Sequence, residues 1–380
     1  MKKGRWLGGF LTGLVVAVII FMFTLAAILG TNVQQVTEFF KITSLMKLES
    51  LEKVPNRQLI EGAMKGMVGS LKDPYSVYME PREYKQLEAH MEGSYGGIGI
   101  YVGMRDENRL TIVSPIKGTP GFKAGLKSGD IIVKIDDVET YDMDLDTAVG
   151  MMKGQPGTQV MLGIFREGSL QLLEVEITRE VINIPAVEGK IMEQQPEIAY
   201  IEIFTFSNNT SRDLAHMLAN LEQDKNFKGV ILDLRNNPGG SLQVAIEVAG
   251  FFVPPGPVVH IMDSRGTETI SADGNYLDKP LVVLVNKGSA SASEILAGAI
   301  KDREAGILVG TKTFGKGLVQ SVYQLPRGGA LKLTTAKYLT PNMHDINKKG
   351  IEPHVEVEQK KDSDQDIQLE KAIEILKTKF

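Results

Sequence analysis

Two apolar runs decide what the second half of this chain can become. "GVILDLR" (229–235) and "LVVLVN" (281–286) are strand-length, the first apolar as far as Asp233 and the second as far as Asn286. A strand with no polar face is covered on both sides, the condition met in parallel sheets flanked by helices. Each run breaks into small residues and resumes with helical spacing, "NNPGG" before "SLQVAIEVAGFFV" and "KGSASA" before "SEILAGAI". "IAYIEIFTF" (198–206) and "SRDLAHMLANLE" (211–222) add another strand and helix. Alternation of this kind from residue 181 predicts an α/β domain on a largely parallel sheet. A polar hinge, "EQKKDSDQD" (358–366), and the amphipathic "IQLEKAIEILKTKF" then predict a final helix.

Upstream the period changes. "LTIVSPI" (110–116), "DIIVKID" (130–136), "VMLGIFRE" (160–167) and "LLEVEITRE" (172–180) alternate between glycine, proline and aspartate turns, and "MDLDTAVGMMKG" supplies one helix. They predict a mostly-β module of about 90 residues. Residues 31–90 carry helical spacing interrupted near Pro55, too thin to bury a core alone, so they pack on another domain or another copy. Residues 6–30 contain no charge and follow Lys2, Lys3 and Arg5. As a helix they reach about 37 Å, more than the roughly 30 Å hydrocarbon core. Basic residues ahead of the span predict a cytoplasmic N-terminus and an extracytoplasmic remainder. The stretch is longer than a signal-peptide core of about 7–15 residues, and "AAILGTN" is a poor cleavage site, so the expectation is an uncleaved single-pass anchor.

The net charge of −5 gives no electrostatic case for nucleic acid. The absence of cysteine excludes disulfides, thiol catalysis and a cysteine-built zinc site. Ser289, Ser291 and Ser293 alternate with alanine where the 281–286 strand breaks. The alternating serines raise the question of hydroxyl chemistry. A serine needs a base to take its proton. None of the histidines, His90, His216, His260, His344 and His354, combines a strand end with a carboxylate and a glycine-rich neighbour. Lysine also serves as base when an apolar pocket disfavours its charge. In "GTKTFGKGLVQSVYQL" (310–325), Lys316 sits between glycines among Phe314, Leu318 and Val319, with Gln320 four residues on; Lys312 lies between threonines and suits the role less. "DLRNNPGG" (233–240) supplies a glycine turn whose N–H groups can face an oxyanion. Against this stands a purely structural reading, in which Ser291-x-x-Glu294 is a capping box that starts a helix. These residues alone leave the choice among the three serines open.

Taken together, "DLRNNPGGSL", "VNKGSASASEILAGAIKD" and "GTKTFGKGLVQ" resemble, in order and spacing, the carboxyl-terminal processing peptidases, or tail-specific proteases, of serine peptidase family S41. The resemblance spans most of residues 60–375 and is nearest to the membrane-anchored bacterial branch, which includes peptidases of sporulation signalling. It implies a protease core of the crotonase/ClpP-like α/β type. It implies Ser291 as nucleophile, Lys316 as general base, Gln320 as its assistant, and an oxyanion hole from Ala292 with Gly239 or Gly240. The mostly-β module resembles a PDZ domain with "YGGIGI" as its carboxylate loop. Gly97, Ile98, Gly99 and Ile100 would then receive the free, apolar C-terminus of a protein substrate, by β-augmentation. Arg166, in "IFREG", would link tail binding to the active site. "KGIEP" matches the family, but His354 stands where an aspartate is common.

The expected organisation is a multidomain α/β chain: a cytoplasmic tail (1–5), a transmembrane helix (6–30), a helical segment (31–90), a PDZ domain (91–180), a protease core (181–358) and a C-terminal helix (359–380). No metal or other cofactor is needed, and the helical segment together with the last helix predicts a homodimer. Two rivals remain: a PDZ-bearing membrane adaptor with an inactive protease-like domain, and another acyl enzyme such as a crotonase-like hydratase or a signal-peptide peptidase.

Overall fold

The structure, a computed structural model, describes residues 15–24, 27, 30, 33–105, 109–169, 171–183, 185–224, 226–274, 276–359 and 365–380. The chain divides into two units, Met1–Tyr78 and Met79–Phe380. Most of the expected transmembrane segment lies outside the described residues; residues 15–24 are helical. Among the described residues, no helix is long and apolar enough to cross a membrane. The first unit contains α1 (Val33–Glu49) and α2 (Asn56–Gly69). Only Val36 of α1 is buried, while Phe39, Phe40, Ile42 and Leu45 are exposed.

The second unit opens with α3 (Pro81–Glu92). Proline at the first helical position and a 2.7 Å bond from the Glu80 N–H to the Glu83 carboxylate start it, and left-handed Gly93 stops it. β1 (Ser94–Gly97) then leads into an antiparallel sheet of β2 (Ile100–Arg105), β3 (Arg109–Pro115), β4 (Ile131–Ile135), β5 (Gln159–Phe165) and β6 (Leu173–Thr178), paired in that order. Helix α4 (Leu145–Met152), capped by the Asp144 carboxylate, covers its core of Ile112, Ile132, Leu162 and Ile164. The chain leaves along β7 (Glu180–Asn183), which pairs antiparallel with β1.

The α/β layer follows. Its sheet runs β8 (Val187–Met192), β9 (Gln195–Ile203), β10 (Gly229–Asp233), β13 (Leu281–Val285), β14 (Ile307–Gly310) and β17 (Val355–Glu356), parallel from β9 onward. β10 and β13 are buried at every residue, as their apolar runs predict, with Asp233 at the end of β10 buried too. Alternate residues point to opposite faces. Val230, Leu232, Val283 and Val285 pack with α5 (Thr210–Leu221), α6 (Leu242–Phe252) and α7 (Ala292–Asp302). Ile231, Val282 and Leu284 face the final helix, α8 (Ile367–Lys377), through Ala372 and Leu376. A second, antiparallel sheet joins β11 (Gly256–Asp263), β12 (Gly266–Ala272), β15 (Leu318–Gln324) and β16 (Ala330–Leu339), with β15 and β11 both on β16.

Candidate active site

The turn between β13 and α7 distinguishes the three serines. Ser289 and Ser293 are fully buried; their hydroxyls donate to the Leu234 carbonyl (2.8 Å) and the Asn237 carbonyl (2.9 Å). Both outer serines thus lash this turn to the one that follows β10. Ser291 lies between them and opens onto a cavity of about 340 Å³. Its backbone stands at φ 55°, ψ −113°, a conformation costly for a residue with a Cβ. A sharp strand-to-helix turn of this kind presents the side chain outward at the head of a helix.

The neighbouring glycine turn is held close to it. A Cβ on Gly239 would lie 2.9 Å from the Ser291 Cβ and 2.7 Å from the Ala290 carbonyl oxygen, and its φ is +103°. Glycine is required there on both counts. The Gly239 N–H already donates to Asn237 Oδ1 at 2.9 Å. No acceptor among the described residues takes the N–H of exposed Gly240, which lines the cavity with Ala292, the first residue of α7. First-turn amides have no partner within their own helix.

Glu294 is the residue whose part the sequence hid. Its carboxylate is fully buried, and it accepts from the Ser291 N–H (2.9 Å), the Thr313 hydroxyl (2.6 Å), the Gly315 N–H (2.7 Å) and the Lys316 N–H (2.9 Å). One carboxylate therefore fixes the Ser291 main chain to the Lys316 main chain. The Ser-x-x-Glu spacing reveals its bond to Ser291, but only the fold brings residues 313–316 to its other side. Lys316 itself is half-buried. Burial pushes its ammonium below the usual lysine range, Lys332 adds to that, and Glu294 opposes it. Lys312 instead reaches Glu352 at 2.8 Å on the surface.

Gln320 also lines the cavity, and its amide donates to the Leu318 carbonyl at 3.1 Å. The β15–β16 register slips between Val319 and Gln320, an irregularity that re-aims a side chain. Ile246, Ile270, Ile295 and Leu318 line the cavity with apolar side chains, and Met91, from the end of α3, lines it too. No histidine lines it among the described residues. His260 bonds Thr269 and the Pro341 carbonyl, and His354 Nδ1 accepts from the Leu308 N–H.

In the β2–β6 module, Ile98 is buried and Gly99, at φ +71°, lies against Thr119. No acceptor among the described residues takes the Ile98 or Gly99 N–H. The loop opens onto β2, the edge strand of its sheet, beside α4. Arg166 lies elsewhere in the module, bidentate on Asp130 (2.7 Å to each oxygen) and bonded to the Gly125 carbonyl, and is not among the residues lining the cavity. Burial alone would raise the Asp130 pKa, but Arg166 and the Lys127 N–H outweigh it and hold the carboxyl below its usual range.

Three family models match the chain: "Peptidase family S41" over residues 197–357, "PDZ domain" over 96–177, and "Activating protease CtpB N-terminal domain" over 26–82. A carboxyl-terminal-processing protease of Synechocystis sp. is 41% identical over 309 residues, covering 80% of this chain and 72% of that one. The carboxy-terminal processing protease CtpB of Bacillus subtilis is 40% identical over 328 residues, 84% of this chain and 67% of its own. Among solved structures, the photosystem II D1 C-terminal processing protease superposes with a TM-score of 0.52 at 32% identity, over 84% of this chain and 86% of that one.

Proposed function

The chain belongs to the carboxyl-terminal processing proteases, PDZ-bearing serine endopeptidases of family S41, and from that premise we propose that Ser291 and Lys316 form its catalytic dyad. Ser291 Oγ attacks the scissile carbonyl as Lys316 Nζ takes the hydroxyl proton. The N–H groups of Gly240 and Ala292 receive the oxyanion, Gly239 being engaged with Asn237. Lysine returns the proton to the leaving amine, and water then attacks the acyl-serine by the reverse sequence. Gln320 orients the amine, and neither metal nor cofactor takes part. The observation that carries this reading is the Glu294 carboxylate, which binds the Ser291 and Lys316 main chains at once.

The PDZ loop at Gly97, Ile98, Gly99 and Ile100 takes the substrate's free C-terminus, its tail adding to the open edge of β2. The N–H groups of Ile98 and Gly99, which no acceptor among the described residues takes, support this. Arg166 couples the two sites by giving up Asp130. Residues 6–30 anchor the protein with its catalytic domain outside the cytoplasm, and the exposed apolar residues of α1 support pairing of two copies.

The test compares cleavage of an unstructured protein with an apolar C-terminus by wild type, Ser291→Ala and Lys316→Ala between about pH 6 and 10. Wild-type activity should rise with pH as the amine loses its proton, and both variants should be inactive. Undiminished activity in Lys316→Ala would rule lysine out as the base.

A further inference from the structure

We infer that Tyr338 is a positioning residue for this reaction, whose hydroxyl fixes the lysine turn while its ring walls the substrate pocket. The inference rests on the dyad reading. Tyr338 lies on β16, is 2% exposed, and lines the cavity that contains Ser291. Its hydroxyl donates to the Lys316 carbonyl oxygen, and its own N–H donates to the Gly317 carbonyl at 3.1 Å.

The Lys316 peptide is therefore gripped from both ends. Its N–H goes to Glu294 at 2.9 Å, and its carbonyl accepts from Tyr338. The following glycine leaves the turn no slack, since a Cβ on Gly317 would lie 2.7 Å from the Asn347 nitrogen. Glu294 ties the turn to the nucleophile, and Tyr338 ties it to the wall that a substrate side chain touches. Tyr338 is itself anchored in the sheet, opposite Ile261 of β11. Catalytic geometry tolerates little displacement; an error of about 1 Å costs about 100-fold in rate. A side chain filling the pocket bears on the same ring that sets the lysine.

Tyr338→Phe removes the hydroxyl and keeps the ring. On the full chain we expect kcat to fall about 10- to 100-fold with KM within about twofold. The pH at which kcat reaches half its maximum should move upward, because a loosened turn admits water to the amine. Tyr338→Ala enlarges the cavity, and should shift preference at the cleaved bond toward bulkier side chains. That preference should be unchanged in Tyr338→Phe. Wild-type kcat and an unmoved pH limb in Tyr338→Phe, with Lys316→Ala inactive, would overturn this role and leave the dyad standing. Activity in Lys316→Ala would overturn both.

Discussion

At the scale of single residues, the site trades stability for chemistry. Lys316 has a folded-state pKa below its unfolded value, so between the two the unfolded chain binds more protons and stability rises with pH. Below both values the protonated amine is buried at a cost. Lys316→Met, similar in volume and uncharged, should therefore raise the melting temperature at neutral pH while abolishing cleavage; differential scanning calorimetry with an activity assay checks both. His354 obeys the same sign. Burial chiefly, with Lys301, lowers its pKa, and its neutral Nδ1 accepts the Leu308 N–H at 2.9 Å. Stability from this bond is complete above the unfolded pKa of about 6.5 and is lost as pH falls through and below it. An aspartate would offer an acceptor in the same place, which gives the departure a chemical reason. His354→Asp should flatten the loss of stability between about pH 6.5 and 5, measured by urea denaturation.

Among the elements, α8 does more than cover a sheet face. Arg235, two residues beyond the Asp233 that ends β10, bonds Asp233 at 2.6 Å and the Asp366 cap of α8 at 2.8 Å, and Tyr200 donates to the same Asp233. The glycine turn begins at the next residue. Arg235→Met leaves the buried Asp233 without its cation and should cost about 3–5 kcal/mol, read as a lower denaturation midpoint. Activity should fall with it, since the glycine turn proposed to hold the oxyanion shares that anchor. The apolar stretches at 229–232 and 281–285 announce buried parallel strands because a strand covered on both faces carries apolar residues on both. The glycine turns and the Ser-x-x-Glu start of α7 are equally legible, because backbone demands select those residue types. The three bonds from residues 313–316 to Glu294, the partner of Arg166 and the register slip at Gln320 are not. Each depends on residues that are not neighbours along the chain, and local pattern holds no record of them. The three serines look alike in sequence, and differ only in what the β10 turn offers to the outer two.

Across the whole molecule, α1 exposes Phe39, Phe40, Ile42 and Leu45. If these residues pair two copies, Phe39→Glu with Leu45→Glu should halve the mass measured by light scattering and leave the cleavage of short peptides intact. The PDZ module joins the rest of its unit differently. The strand leading into it and the strand leading out, β1 and β7, run side by side, with Ser94 opposite Asn183 and Gly97 opposite Glu180. A segment whose two ends are neighbours is an insertion in the topological sense, and the host needs only a turn to close behind it. A guest of this kind joins its host through one pair of adjacent strand ends, so a different guest with the same spacing between its ends could sit there without the host's sheets being redrawn.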